Sequence, residues 1–423
     1  MSIINPATKY VVFSASSIPL IKARLAGNSH SIGKSRNTEH ATAENDIFNG
    51  RVSINQRVPV TDLPLRKSLE VFWMRVIPGK GVAPTLLKSL FVLVVLSVVP
   101  SVALADQAKR VILLETMQVP VVRDNSRWFI RQMEELGYVQ GKNLALHVID
   151  MEGDRGKGEQ LLGAALAAGK PDLVVTSATL ASQTAWQMLA GTETPMVFFT
   201  VSDPVGAGII EKAGVAGGKN VTGIINSISP INRVNLALKL LERPDNGKPV
   251  RIGIVHSSYP SSVSDVGRLM AIGAHHDEIE FVVRRIDYRR VPEGLPEMLS
   301  EVKQVVSDLS PLVDFWWEPL GPLGEVESYT RTLLENSDTP ILMGNRMRSV
   351  ELGALLLLSP SSEASGREAA LLADAVLKGK PPGEIAPNPA KRFDIGINLS
   401  TALRLGITVP PDIFKLAGKN IYR

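Results

Sequence analysis

No cysteine occurs anywhere in the 423 residues. That excludes disulfide staples, thiolate metal sites and a thiol nucleophile, and leaves the hydrophobic core to hold the fold together. Aromatic residues are few, at 5%, and they do not interleave with a basic patch of the kind that grips nucleic acid. The Gly-x4-Gly-Lys-Ser/Thr spacing of a phosphate-binding loop is missing, so any ATP hydrolysis belongs to a partner. Gly156-Lys157-Gly158 lacks the third glycine of a dinucleotide loop, and His275-His276 lacks the i,i+4 spacing of metal ligands. There is no Gly-x-Ser-x-Gly elbow and no Asp placed to orient His256, which argues against a hydrolase. Neither a cofactor nor a metal is expected.

What is present begins with a basic, then apolar, then small-residue segment. Met74-Arg75, Lys80 and Lys88 precede an apolar run over 90–99, followed by Pro100 and Ala103-Leu104-Ala105. The run falls well short of the ~20 residues that span a bilayer. Residues 74–105 therefore read as a secretory signal cleaved after Ala105. The rival reading, an uncleaved anchor, fits Pro100 and the Ala103/Ala105 pair less well.

Charge divides at the same place. Residues 1–105 carry 12 Lys+Arg against 5 Asp+Glu, or +7, and residues 106–423 carry 34 against 37, or −3. The basic balance belongs to the leader, so no case for nucleic acid or an anionic membrane remains for the body. Residues 1–73 have no sustained period and read as a start assigned too far upstream, with a disordered extension as the alternative. Without a cysteine at the cleavage point no lipid tether is available, and a periplasmic, monomeric protein is expected.

From residue 109 short apolar runs alternate with helical stretches. Residues 110–114, 172–175, 196–199 and 220–225 read as strands, and 127–136, 158–168, 181–189 and 207–213 as helices. The alternation restarts with strands at 250–255, 280–286, 313–317, 340–343 and 355–358. Residues 365–377 read as a helix closing at Gly379, and 393–398 as an edge strand. The fold class is α/β, with two lobes, each a doubly wound parallel sheet covered by helices. Such sheets bind ligands outside the carboxyl ends of their strands. The segments to inspect are therefore 115–122, 176–183, 200–206, 256–263, 317–324 and 344–348.

Several short motifs run in order through the body. They are Leu136-Gly137-Tyr138-Val139-Gln140-Gly141-Lys142-Asn143, Pro171-Asp172-Leu173-Val174-Val175, Thr194-Pro195-Met196-Val197-Phe198, Ser202-Asp203-Pro204-Val205-Gly206-Ala207-Gly208 and Asn220-Val221-Thr222-Gly223-Ile224. Leu377-Lys378-Gly379-Lys380-Pro381-Pro382 and Ile397-Asn398-Leu399-Ser400-Thr401-Ala402 with Leu405-Gly406-Ile407 complete the series. Together they resemble a bacterial family of substrate-binding proteins that serve ABC transporters of the tryptophan/tyrosine type. The resemblance implies a type I periplasmic-binding fold with a three-segment hinge. Lobe 1 would be 107–225 plus 360–390, and lobe 2 would be 226–359 plus 391–423. It also implies capture of an amino-acid-like ligand, delivery to an ABC permease and its ATPase, and no catalysis. A periplasmic subunit that presents a ligand to a membrane receptor or kinase is the alternative.

Candidate ligand residues follow from the post-strand segments. Thr116 and Gln118 follow the first strand. Ser177, Ala178 and Thr179 open a helix whose N-terminus could hold a carboxylate, a plain N-cap being the bland alternative. Asp203 could pair a ligand ammonium or simply form the turn before Pro204. His256, Ser261 and Ser262 form a polar stretch in which Tyr259-Pro260 are peculiar to this chain. Of Trp316 and Trp317, alternation sends one ring to each face, and Trp317 is the one expected at the cleft. Glu318 stands where the family has Thr-Asp-Asn, and Asn345-Arg346 where it has an acidic pair. Arg346 would meet a second ligand anion or pair with Glu318.

Overall fold

The computed structural model describes residues 108–241 and 247–423. The expected leader over 74–105, and the reading of 1–73, lie outside the described residues.

In chain order the elements are β1 (Lys109–Glu115), α1 (Pro120–Glu135), β2 (Leu144–Asp150), α2 (Arg155–Ala167), β3 (Leu173–Ser177), α3 (Thr179–Leu189), β4 (Met196–Val201) and β5 (Val221–Ile225). There follow α4 (Pro230–Leu238), β6 (Val250–Ser257), α5 (Pro260–Gly273), β7 (Ile279–Ile286), α6 (Leu295–Leu309), β8 (Phe315–Trp317), α7 (Glu327–Asn336), β9 (Ile341–Met343), α8 (Met347–Leu352) and β10 (Leu356–Pro360). The chain ends with α9 (Ser362–Leu377), β11 (Asn388–Pro389), β12 (Phe393–Asn398), α10 (Leu399–Arg404), α11 (Pro411–Ala417) and β13 (Ile421–Tyr422).

Two sheets result. The first has the order β11-β5-β4-β3-β1-β2, with every pairing parallel. Its central strands β3 and β4 are buried at every position, as continuous apolar runs covered on both faces must be. The second has the order β13-β12-β10-β9-β8-β6-β7 and is parallel except where β12 runs antiparallel to β10. The reading of 393–398 as an edge strand is therefore corrected, because β13 pairs with the outer side of β12. The chain passes between the sheets three times. It leaves the first after β5, returns from β10 into α9, and leaves again between β11 and β12.

Helix α9 lies on the first sheet beside α1. Gly366 makes this packing possible, because a Cβ there would collide with the Asn125 carbonyl. Phe129 and Phe199 stack beneath, 5.5 Å apart. Two helical readings needed correction. Helix α1 starts at Pro120, seven residues before the expected 127, because proline at the first helical position presets φ and has no N–H to lose. The expected helix over 207–213 is a series of turns, since Gly208 and Gly214 hold left-handed backbone and the Asp203 carboxylate ties down the Gly206 N–H at 2.9 Å.

Candidate functional site

The carboxyl ends of β1, β3, β4 and β5 face those of β6 and β8 across a cavity of about 80 Å³. From the first sheet it receives Thr116, Ala178, Thr179, Thr200, Ser202 and Asn226. From the second it receives Tyr259, Ser261, Leu320, Gly321, Pro322 and Glu325. Met117, Val119, Val121 and Val122 form an apolar side.

Backbone strain marks the first-sheet wall. Ala178 (φ 75°) and Thr200 (φ 59°) both take positive φ although neither is glycine. Their strands β3 and β4 are neighbours, so the two strained residues sit side by side at the cavity. Strain of this kind persists only where surrounding structure imposes it, and it clusters at functional sites.

Two helices begin at this wall without a side-chain cap of their own, α1 after Val119 and α3 after Ala178. Their unpaired N–H groups would suit an anion. At α3 a side chain has taken one of them. The Thr116 hydroxyl accepts from Ala181 N–H at 2.9 Å. The Tyr259 hydroxyl lies near the Leu180 N–H and the Thr116 hydroxyl. At α1, the Glu325 carboxylate lies near the Val121 N–H. Tyr259 and Glu325 belong to the second lobe, which thus brings an oxygen up to each of these helix starts. The expectation that the α3 N-terminus is open to a carboxylate is thus corrected at Ala181.

Glu325 is the only ionisable carboxylate among the lining residues, and none of them is lysine or arginine. Burial pushes its carboxyl up to about 7, although Arg346 and the Asn345 side-chain amide, 2.8 Å away, pull in the other direction. Burial also raises the Tyr259 phenol far above its ordinary value. Two polar atoms at the cavity have no partner in the protein, Ser202 Oγ and Asn226 Oδ1. Buried polar atoms are almost always paired, so an orphan pair at one cavity asks for a polar ligand or water.

Of the residues expected from sequence, Thr116, Ala178, Thr179 and Ser261 line this cavity. Ser177 is fully buried just behind, donating to Thr200 Oγ1 at 3.2 Å. Gln118 is exposed and donates to Glu115 at 2.7 Å. Ser262 holds the loop after β8 by donating to the Leu320 carbonyl at 2.6 Å. Gly321 fits there because its φ is +102° and a Cβ would strike Ser262.

Asp203 lies outside the lining and joins the lobes. Ser264 on α5 donates to its Oδ2. Burial alone would raise this carboxyl, but the bonds from Ser264 and Gly206 N–H win and hold it below the usual range. His256 is buried with Nδ1 3.0 Å from the Ser257 carbonyl, and burial lowers its pKa.

Trp317 is a correction. It is 1% exposed and packs in the second-sheet core against Phe281, edge to face at 5.9 Å, and near Arg233. Alternation sends Trp316 and Trp317 to opposite faces, but helices cover both faces, so both rings are buried. Glu318 is likewise internal. It accepts from Thr330 (2.6 Å), Ser349 (2.6 Å) and the Asn345 N–H (2.8 Å), and not from Arg346. Burial raises its pKa. Asn345 reaches the site indirectly through Glu325, and the Arg346 Nε has no hydrogen-bond partner.

Sequence reading missed Met117, Ser202, Asn226, Tyr259 and Glu325 as wall residues. Met117, Ser202 and Tyr259 fell inside the inspected segments, while Glu325 stands one residue beyond 317–324. Asn226 follows β5, whose end was not inspected.

Among the described residues no helix is long and apolar enough to cross a membrane, and no cluster of three or more His, Cys, Asp or Glu is placed to hold a metal.

Comparison with known proteins gives consistent results. Residues 117–421 match the family described as ABC transporter substrate binding protein. A tyrosine-binding protein of Clostridioides difficile is 25% identical over 317 residues, 75% of this chain and 85% of that protein. Two solved structures share the fold. A Streptococcus pneumonia ABC domain in complex with L-Trp has a TM-score of 0.59 at 24% identity, covering 74% of this chain and 100% of its own. A conserved domain protein from Vibrio cholerae has a TM-score of 0.61 at 24% identity, covering 75% and 100%.

Proposed function

The chain belongs to the ABC transporter substrate binding protein family, and from that premise we propose that it captures a small amino-acid-like ligand in the cavity between its two sheets and delivers it to an ABC permease. The observation that carries this reading is the pair of orphan atoms, Ser202 Oγ and Asn226 Oδ1, lining one cavity with the Glu325 carboxylate. The tyrosine-binding relative and the L-Trp complex support a ligand of amino-acid type.

The lobes in this reading are 107–225 with 360–390, and 226–359 with 391–423, closing about the three crossings. No covalent step is assigned to the cleft. The working form is a monomer of the extracytoplasmic space that makes no use of nucleic acid. It begins near Asp106, after the segment over 74–105 is removed. Mass spectrometry of the exported N-terminus tests that start, and a protein beginning at Met1 contradicts it.

The ligand site is tested by a thermal-shift panel of amino acids, purines and small acids, followed by calorimetry on the strongest hit. One-to-one binding is expected. The double variant Ser202→Ala/Asn226→Ala should lose tenfold or more in affinity, about 1.4 kcal/mol. Unchanged affinity in that variant would return the cavity to a packing gap.

A further inference from the structure

Tyr259 stands immediately before Pro260, the first residue of α5, in extended backbone (φ −65°, ψ 138°). The ring is 4% exposed and packs edge to face on Tyr288, 4.9 Å between centroids. Tyr288 is braced in turn by Met117 of the other lobe, with its hydroxyl 3.9 Å from the Met117 sulfur. The Tyr259 hydroxyl ends at the Leu180 N–H and the Thr116 hydroxyl. The ring is therefore packed on its edge, with its hydroxyl toward the first lobe, inside the wall of the cavity.

Taking the cavity as the ligand site proposed above, we infer that Tyr259 fills the space an aromatic ligand side chain would need and restricts the cleft to compact, ammonium-bearing ligands, small amino acids without a ring. Three observations converge. The first is size: pockets that enclose drug-sized ligands run to roughly 300–1,000 Å³, and this cavity holds about 80 Å³. That suits glycine, serine, threonine or valine, and not the indole of tryptophan added to an amino-acid backbone.

The second observation is charge. The lining offers a carboxylate, Glu325, and the acceptor Asn226 Oδ1 to an ammonium, and no lysine or arginine to a second ligand anion. The third is the rest of the lining. Met117, Val119 and Val122 suit a short aliphatic group, and the Ser202 and Thr179 hydroxyls suit a carboxylate or a ligand hydroxyl.

The test is calorimetric titration of glycine, L-serine, L-threonine, L-valine, L-tyrosine and L-tryptophan into the wild type, Tyr259→Ala and Tyr259→Phe. The wild type should bind at least one of the first four a hundredfold or more tighter than either aromatic amino acid. Tyr259→Ala should gain tenfold or more for tyrosine or tryptophan. Tyr259→Phe keeps the ring and should keep the discrimination. If Tyr259→Ala does not fold, Tyr259→Leu opens part of the same space and should gain in the same direction. A wild type that binds tryptophan or tyrosine as tightly as the compact amino acids overturns the wedge while leaving the ligand site standing. So does a folded Tyr259→Ala that retains the compact ligands and gains nothing. If none of the six binds either the wild type or Tyr259→Ala, the amino-acid reading of the cleft fails, and the wedge with it.

Discussion

The two lobes meet the cavity in different ways. The first brings backbone: two helix N-termini without caps of their own, at Val119 and Ala178, and two residues with positive φ, Ala178 and Thr200. The second brings long side chains, Tyr259 and Glu325, whose oxygens reach across to Leu180 and Val121. Backbone features of this kind are set by the turn after each strand and take many side chains. Tyr259 and Glu325 depend on individual residues at loop positions. On the proposed reading of the cavity as a ligand site, the first lobe supplies a general polar seat and the second decides what sits in it. The departures from the family pattern noted in the sequence, at 256–263, 318–322 and 345–346, all fall in the second lobe.

The sharpest way to break this comparison is to separate the second lobe's internal network from its cavity groups. Glu318 accepts three hydrogen bonds while 1% exposed. Glu318→Ala should cost about 3–5 kcal/mol of stability, because the donors are left buried without an acceptor. Chemical denaturation measures the loss. Calorimetry should show little change in the affinity of the folded fraction, since Glu318 supports the loop without lining the cavity. A large affinity loss with intact stability would place Glu318 at the ligand.

Glu325 tests the other half. Its carboxyl is raised to about 7, chiefly by burial, with Arg346 pulling down and Glu318 pushing up. A raised carboxyl contributes stability fully below its unfolded value, near 4.5, and loses that contribution as pH rises through about 7. The ligand-free protein should therefore lose on the order of 3 kcal/mol between pH 5 and pH 8 from this group. Glu325→Gln should flatten that part of the profile in thermal unfolding. An equally steep loss in the variant would assign it to other groups, Glu318 first among them.

For the first lobe, Ala178→Gly should raise stability by about 1 kcal/mol, because φ 75° with ψ 166° is a region suited to glycine. A fall in the melting temperature would mean that the Ala178 methyl group contributes more by packing than its backbone loses by strain. The smallest effect is expected at the rim. Ser264→Ala removes the hydroxyl that bridges to Asp203 and should weaken ligand affinity two- to threefold, about 0.5 kcal/mol. A loss of a hundredfold would instead make Asp203 a direct ligand partner.

The fold was legible because its signals are local. Apolar runs at β1, β3, β4 and β6 are continuous, and the stretches between them have helical spacing, so the two-lobed α/β class follows from pattern alone. The short β11 and β13, two residues each, carry too little pattern to be read. The site was legible to the level of segments. Thr116, Ala178, Thr179 and Ser261 follow from the rule that ligands meet strand ends. Trp317 misled because alternation gives a face and not what covers that face. The second-lobe oxygens near the starts of α1 and α3 were hidden for a different reason. Tyr259 lies 79 positions after Leu180, and Glu325 lies 204 after Val121, so only the facing of two sheets brings them together.

That facing is the central claim, and the missing cysteines make it measurable. Leu161→Cys on α2 and Met270→Cys on α5 are both at exposed positions, one on each lobe. In a chain without native cysteine they would carry the only spin labels. Pulsed electron double resonance then reads the distance between lobes, with and without a saturating amount of the amino acid that binds tightest in calorimetry. A shorter and narrower distance distribution on ligand addition is the predicted result. A distribution unchanged at saturation would contradict a site formed by two closing lobes.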